Sequence, residues 1–167
     1  PVVYFNQQDD RYADQPYGTD NIGGYGCGPT AMAMAVSSLT GQAVDPAQMA
    51  QWAVDQGCWA PGSGSRHSIV NKAGESYGFS VRSFLPQDAD DLLQQLASGK
   101  IMVALMSKGH FTQKGHFILL RGATLDGQVL VADPNSPERS LMAWDPQIIL
   151  DELSASRDSG APLWLLS

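Results

Sequence analysis

Cys27 stands in the stretch GYGCGPTAMAMAV, between two glycines and just ahead of a proline that opens an apolar run. The simpler reading of that thiol is a small hydrophobe at the start of a buried helix. The chemical reading is a nucleophile. A thiol at a helix N-terminus meets orphan N–H groups and the positive end of the dipole, so its pKa falls from about 8.5 toward roughly 3.5–7.5. Gly26 and Gly28 place no side chain on either side of it, which predicts room for a substrate backbone. A thiol nucleophile needs a base, and the chain offers His67, His110 and His116. His67 lies in a Gly/Ser loop and reads as a solvent-facing residue. His110 precedes the polar segment TQKG and remains a minor alternative. His116 opens the apolar run FILL after Gly115, and a histidine at the start of a buried strand is rigidly held. A third group must orient the imidazole, and Asp133 closes the run VLVA. The turn Asp126-Gly127 makes the two runs antiparallel neighbours, with Gly122 and Val131 close to opposite. His116 and Asp133 then share one open end, where the carboxylate is expected to accept the Nδ1–H of the ring. Read for structure alone, His116 is a strand-end residue and Asp133-Pro134 a turn.

The elements that must position these groups follow from periodicity and punctuation. Residues 1–26 are rich in Gln, Asp, Tyr and Gly and read as an extended arm or long loop. Pro29 to Leu39 reads as a helix, apolar all round and therefore buried, with Gly41 as its stop. DPAQMAQWAVDQG is a second helix, with Asp45 as cap, Pro46 at the first position and Gly57 past the end. WAPGSGS is expected to be a flexible loop. Ile69, Val70, Ala73 and Tyr77 fall at helical spacing before Gly78, and Phe79 and Val81 begin a short strand. DADDLLQQLASG is a further helix, ending at Gly99. Beyond residue 100, IMVALM, HFILLRGA, QVLVAD, SLMAWD and PLWLL read as strands and DPQIILDEL as a capped surface helix. Helices dominate residues 27–99 and strands 100–167. This predicts one α+β domain over 1–167, with the cysteine helix packed on an antiparallel sheet.

Composition narrows the function. Of 167 residues, 43% are hydrophobic and 16% charged, which marks a globular chain, and the net charge is −7. Such a balance argues against nucleic-acid or anionic-membrane partners. No apolar run exceeds the length of Ile101–Met106, far short of the ~20 residues that span a bilayer. The chain opens on Pro1, which suggests a mature or excised domain. Two cysteines are too few for a disulfide framework, and neither Cys-x-x-Cys nor His-x-x-x-His occurs, so no zinc site is expected. Cys58, past a helix end at Gly57, reads as a partly buried free thiol; a bond to Cys27 would block the nucleophile. The four tryptophans read as core, with Trp59 the one placed to wall a groove.

YFNQQDDRYADQPYG…IGGYGCGPTAMAM, GHFILLRG and VADPNS together resemble the papain-like cysteine peptidases related to the bacteriocin-processing, double-glycine-leader peptidases. The resemblance runs from Tyr4 to about Trp144. It implies a papain-like fold with Cys27 as nucleophile, His116 as base and Asp133 orienting it. It also implies that Gln7 helps form the oxyanion hole, with Gln8 a competitor for that role because a long segment separates either glutamine from Cys27. No metal or cofactor is required. The expected chemistry is hydrolysis of an amide through an acyl-enzyme. The expected substrate is a short, unstructured peptide with small residues at the cut, either a Gly-Gly peptide or the peptide part of bacterial peptidoglycan. The acidic chain should favour neutral or basic substrates. Acyl transfer to an amine by the same residues, and a binding module without activity, are the alternatives. A secreted or cell-envelope monomer is expected.

Overall fold

An apolar run with no polar alternation must be covered on both faces, and Ile101–Met106 is buried along its whole length. Residues 2–167 are described by a computed structural model. The first elements are a hairpin of β1 (Pro16–Tyr17) and β2 (Asp20–Asn21), a short helix α1 (Ile22–Tyr25) and the long helix α2 (Cys27–Thr40). The expected arm over 1–26 is, across the described residues 2–26, not a free one: the hairpin and α1 lead straight into the cysteine helix. That helix begins at Cys27 itself, ahead of the expected Pro29, and stops at Gly41 with φ +73°. Then come α3 (Pro46–Asp55), a hairpin of β3 (Trp59–Ala60) and β4 (Gly64–Ser65), α4 (Ile69–Tyr77), β5 (Val81–Ser83) and α5 (Ala89–Ala97). Asp45 and Gln48 form a reciprocal capping box at the start of α3, and Asp88 caps α5. The expected flexible loop over 59–65 is the β3–β4 hairpin.

The second half supplies β6 (Ile101–Met106), β7 (His116–Ala123), β8 (Val129–Ala132), α6 (Pro137–Ser140), β9 (Ala143–Trp144), α7 (Pro146–Glu152) and β10 (Leu163–Leu166). The run SLMAWD is only partly strand, because Ser136 and Pro137 start α6 just before it. The sheet has six strands in the order β5-β10-β6-β7-β8-β9, all antiparallel. In the β7–β8 hairpin Gly122 faces Leu130 and Leu120 faces Val131, with a bulge between Leu120 and Gly122.

Two cores flank this sheet. Val103, Leu105, Phe117, Leu119, Trp164 and Leu166 pack with the buried residues of α2, α3 and α4. Met102, Ala104, Met106, Ile118, Leu120 and Leu163 pack with Leu92, Leu96 and Ile149 on the other face. The alternation within β6 and β7 thus sorts apolar side chains between two layers. The cysteine helix packs on the sheet as expected, and α5, which belongs to the helical half by position, joins α7 on the far face. It can do so because its apolar residues form a single stripe, whereas α2 is apolar all round and lies deepest.

Candidate active site

Local chain chemistry puts a thiol at the head of the deepest helix. Asn21 caps α1 by accepting the N–H of Gly24, and Gly26 closes α1 and opens α2 without a side-chain cap. The first N–H groups of α2 are therefore free to stabilise negative charge at Cys27, which is half-buried. The flanking glycines answer to packing rather than to substrate. A Cβ on Gly26 would stand 2.7 Å from Ile22 Cγ2 and from its carbonyl oxygen. A Cβ on Gly28 would overlap Ser65 Oγ and stand 2.8 Å from Ser65 Cβ, so Gly28 lets α2 touch β4. Gly28→Ala is expected to destabilise the protein by about 1–3 kcal/mol, read as a fall in the thermal midpoint, because Ser65 Cβ is backbone-bound and must shift.

His116, 6% exposed, opens β7, and Asp133, wholly buried, follows β8 one strand over. The Nε2 of His116 lies 2.6 Å from Asp133 Oδ1. This reverses the nitrogen expected from sequence. Asp133 lies beyond the β7–β8 ladder and meets the far side of the ring, which leaves Nδ1 for the Cys27 thiol arriving from α2. Asp133 Oδ1 also accepts the Asn135 N–H at 2.8 Å, and Oδ2 accepts Arg139 Nε at 2.7 Å. Its backbone is fixed too: its N–H donates to Ser140 Oγ at 2.8 Å, and the Tyr4 hydroxyl donates to its carbonyl at 2.6 Å. Arg139 was missed by the sequence reading. The available signal was the segment Ser-Pro-Glu-Arg, in which Ser136 caps α6 by accepting the Arg139 N–H and so turns that arginine back over the acid.

The electrostatics follow from this arrangement. Burial pushes the Cys27 thiol up, but the hydrogen bond and charge of His116, with the N–H groups of Phe117 and Gly28, outweigh it and hold the thiol below its ordinary value. Burial pushes His116 down, yet its bonds to Asp133 and Cys27 raise it to about 9. Burial pushes Asp133 up, and His116, Arg139 and the Asn135 N–H together keep it below the usual carboxylate range. Each shift favours a thiolate facing an imidazolium.

Gln7 is 4% exposed, and its Nε2 donates to the carbonyls of Ile22 and Gly23, each at 3.2 Å. Its Oε1 is buried without a partner. Gln8 Nε2 donates to Gly23 O at 2.5 Å and to Asn135 Oδ1 at 2.9 Å. Both glutamines therefore grip the segment leading to Cys27, and neither lines the cleft above it. The long stretch between Gln7 and Cys27 forms the β1–β2 hairpin.

That cleft, about 480 Å³, is lined by Cys27 and His116 together with Gly24, Gly62, Gly64 and Gly115, among others. The β3–β4 hairpin forms one wall and is braced from behind. Asp20 accepts from Trp59 Nε1 at 3.1 Å and from the Gly62 N–H at 2.8 Å, and the Tyr17 and Ser65 hydroxyls lie 2.5 Å apart. Trp59 thus supports the wall rather than lining the cleft, under Gly18, whose φ is +60° and whose Cβ would strike the indole. His67, expected in solvent, does line the cleft, edge-on to Phe117, with Nδ1 3.2 Å from Ser156 Oγ. His110 does not line it; its Nδ1 pairs with Glu152 Oε2 at 2.5 Å. Cys58 is a free thiol, fully buried rather than partly, and burial raises its pKa. Among the described residues no group of three His, Cys, Asp or Glu converges as a metal site, and no helix is long and apolar enough to cross a membrane.

A family model described as the peptidase C39-like family matches residues 1–149. The fold is similar to the peptidase domain of Streptococcus ComA, a bi-functional ABC transporter involved in quorum sensing. That match has a TM-score of 0.62 and 18% identity, and it covers 86% of this chain and 92% of that one. It is also similar to a Bacillus anthracis protein described as a C39-like peptidase, with a TM-score of 0.61 and 12% identity over 99% of this chain and 94% of that one. No curated protein matches the chain significantly.

Proposed function

The chain belongs to the peptidase C39-like family, and on that premise we propose that it is a cysteine peptidase with Cys27 as nucleophile and His116 as proton carrier. The observation that carries this reading is the placing of His116, whose Nε2 is held 2.6 Å from Asp133 and whose ring lowers the pKa of the Cys27 thiol. The thiolate sulfur bonds to the amide carbon of a peptide lying in the cleft. The carbonyl electron pair moves to oxygen, where N–H groups at the head of α2 can receive it. His116 gives its Nδ1 proton to the departing amine, which leaves a thioester and a neutral imidazole. Water then adds to the thioester, its proton returns to His116, and the thiolate leaves. Asp133 keeps the ring turned and favours its charged form, and Arg139 fixes Asp133; both are positioning residues. Gln7 and Gln8 hold the Ile22–Gly23 backbone and so the approach to Cys27, and Gln7 remains the side chain proposed to support the oxyanion.

The lining glycines support an extended peptide with small residues at the cut, because no side chain there stands between the wall and the substrate backbone. Among such substrates, bacterial wall peptides would place the enzyme in the cell envelope, and Gly-Gly segments would ally it with the transporter-linked peptidase domain it resembles. The test is incubation of the reduced protein with insoluble peptidoglycan and, separately, with Gly-Gly peptides, followed by fragment masses. New amines from either substrate, absent with Cys27→Ala, support hydrolysis. Incorporation of an added amine without hydrolysis would make acyl transfer the reaction.

A further inference from the structure

The chain carries 17 acidic against 10 Lys and Arg residues, yet the cleft over Cys27 is lined by no Asp or Glu. Two cation-capable groups besides His116 line it, His67 and Lys114. When protonated, His67 is countered from outside, since its Nδ1 lies 3.7 Å from Asp158 Oδ2. The exposed Lys114 ammonium makes no ion pair among the described residues. Its place in the chain gives it an address. Lys114 precedes Gly115 and His116, all three on the cleft. In the peptidase reading, on which this inference rests, His116 hands its proton to the leaving amine. The leaving-group half of the substrate must then lie over the His116 side, where Lys114 stands. A lone cation beside a low-dielectric, glycine-walled cleft attracts and orients an anion reaching it.

We infer that Lys114 selects substrates whose leaving amine carries a carboxylate close to the cut bond. The carboxylate is either the free terminus of a short C-terminal fragment or the side chain of an acidic residue just after the cut. The acidic chain as a whole pointed to neutral or basic substrates; the cleft has the opposite sign locally, and only the cleft touches the reacting bond.

Iodoacetate and iodoacetamide alkylate the same sulfur and differ in one carboxylate, so the ratio of their rates at Cys27 reads the cleft's charge without a known substrate. Lys114→Gln is expected to lower that ratio about 5–10-fold, and because the two reagents share one thiolate, any change in its reactivity divides out. Lys108→Gln makes the same change in net charge on the same loop away from the cleft and should leave the ratio alone. Equal ratios in wild type and Lys114→Gln, or equal falls in both variants, would overturn the role of Lys114 while leaving the nucleophile intact. A wild-type Cys27 unreactive to both reagents would overturn the peptidase reading itself. Protection of Cys27 from iodoacetamide by short glycine peptides distinguishes the two sources. A peptide ending in a free acid, but not its amide, should protect if the terminus is read. An amidated peptide with a penultimate or final Asp should protect if the side chain is read. Protection by the uncharged amide as strong as by both acids would contradict the inference.

Discussion

Replacing His116 with alanine is expected to remove turnover of any cleaved peptide by about three orders of magnitude or more. It should also slow iodoacetamide alkylation of Cys27 at pH 6 by about 100-fold. Two physical losses coincide in this variant. The base and acid of the reaction disappears, and so does the main group holding the Cys27 pKa below its ordinary value. A half-buried thiol without that partner returns to a pKa near or above about 8.5, so less than about 1% is thiolate at pH 6. His110→Ala, which removes contacts with Glu152 and the Trp144 ring outside the cleft, should retain most of the activity. The reverse pattern would reassign the base.

Asp133→Asn is expected to lower kcat/KM about 100-fold or more at neutral pH and to reshape its pH profile. The ion pair needs His116 charged, and His116 is raised to about 9 chiefly by its bond to Asp133. Wild-type activity should therefore hold through neutral pH and fall as pH rises through about 9. The asparagine keeps the volume but removes the charge, so the imidazolium loses its partner and the upper limb should move down toward the ordinary histidine value near 6.5. Arg139 then faces a neutral amide across a 2.7 Å contact, which pushes the ring further toward its neutral form. Steady-state kinetics between pH 5 and 10 would show this. An unmoved upper limb would mean that Asp133 holds the ring without setting its charge.

Much of this arrangement is legible in the amino-acid order, and the parts that are not have physical reasons. The Gly-Cys-Gly-Pro start of α2, the caps Asp45 and Asp88, and the buried runs of β6 and β7 are local signals. Each is governed by neighbours within a few residues. The Asp126-Gly127 turn fixes the β7–β8 pairing, and with it the approach of Asp133 to His116. Which nitrogen meets the carboxylate depends instead on where α2 sits relative to the sheet, a tertiary fact. The same holds for Gly28, whose missing side chain serves Ser65 from a hairpin far along the chain. The N-terminal segment looked like a loose arm because its hydrogen bonds go to distant partners: Tyr4 to Asp133, Tyr17 to Ser65 and Asp20 to Trp59. His67 looked solvent-facing because a Gly/Ser context says nothing about which wall the loop becomes. Arg139 was hidden because its partner acid is reached only through the turn of α6.

His116 holds Cys27 as a thiolate in the proposed mechanism. The rate of iodoacetamide labelling at each cysteine from about pH 4 to 10, followed by intact and peptide mass, reads that state. A single adduct at Cys27 is expected, its rate already high at pH 6 and little changed up to pH 8, with the fully buried Cys58 unlabelled in the folded protein. Labelling of Cys27 that rises tenfold per pH unit up to about 8.5, like an isolated thiol, or equal labelling of the two cysteines at pH 6, would contradict it.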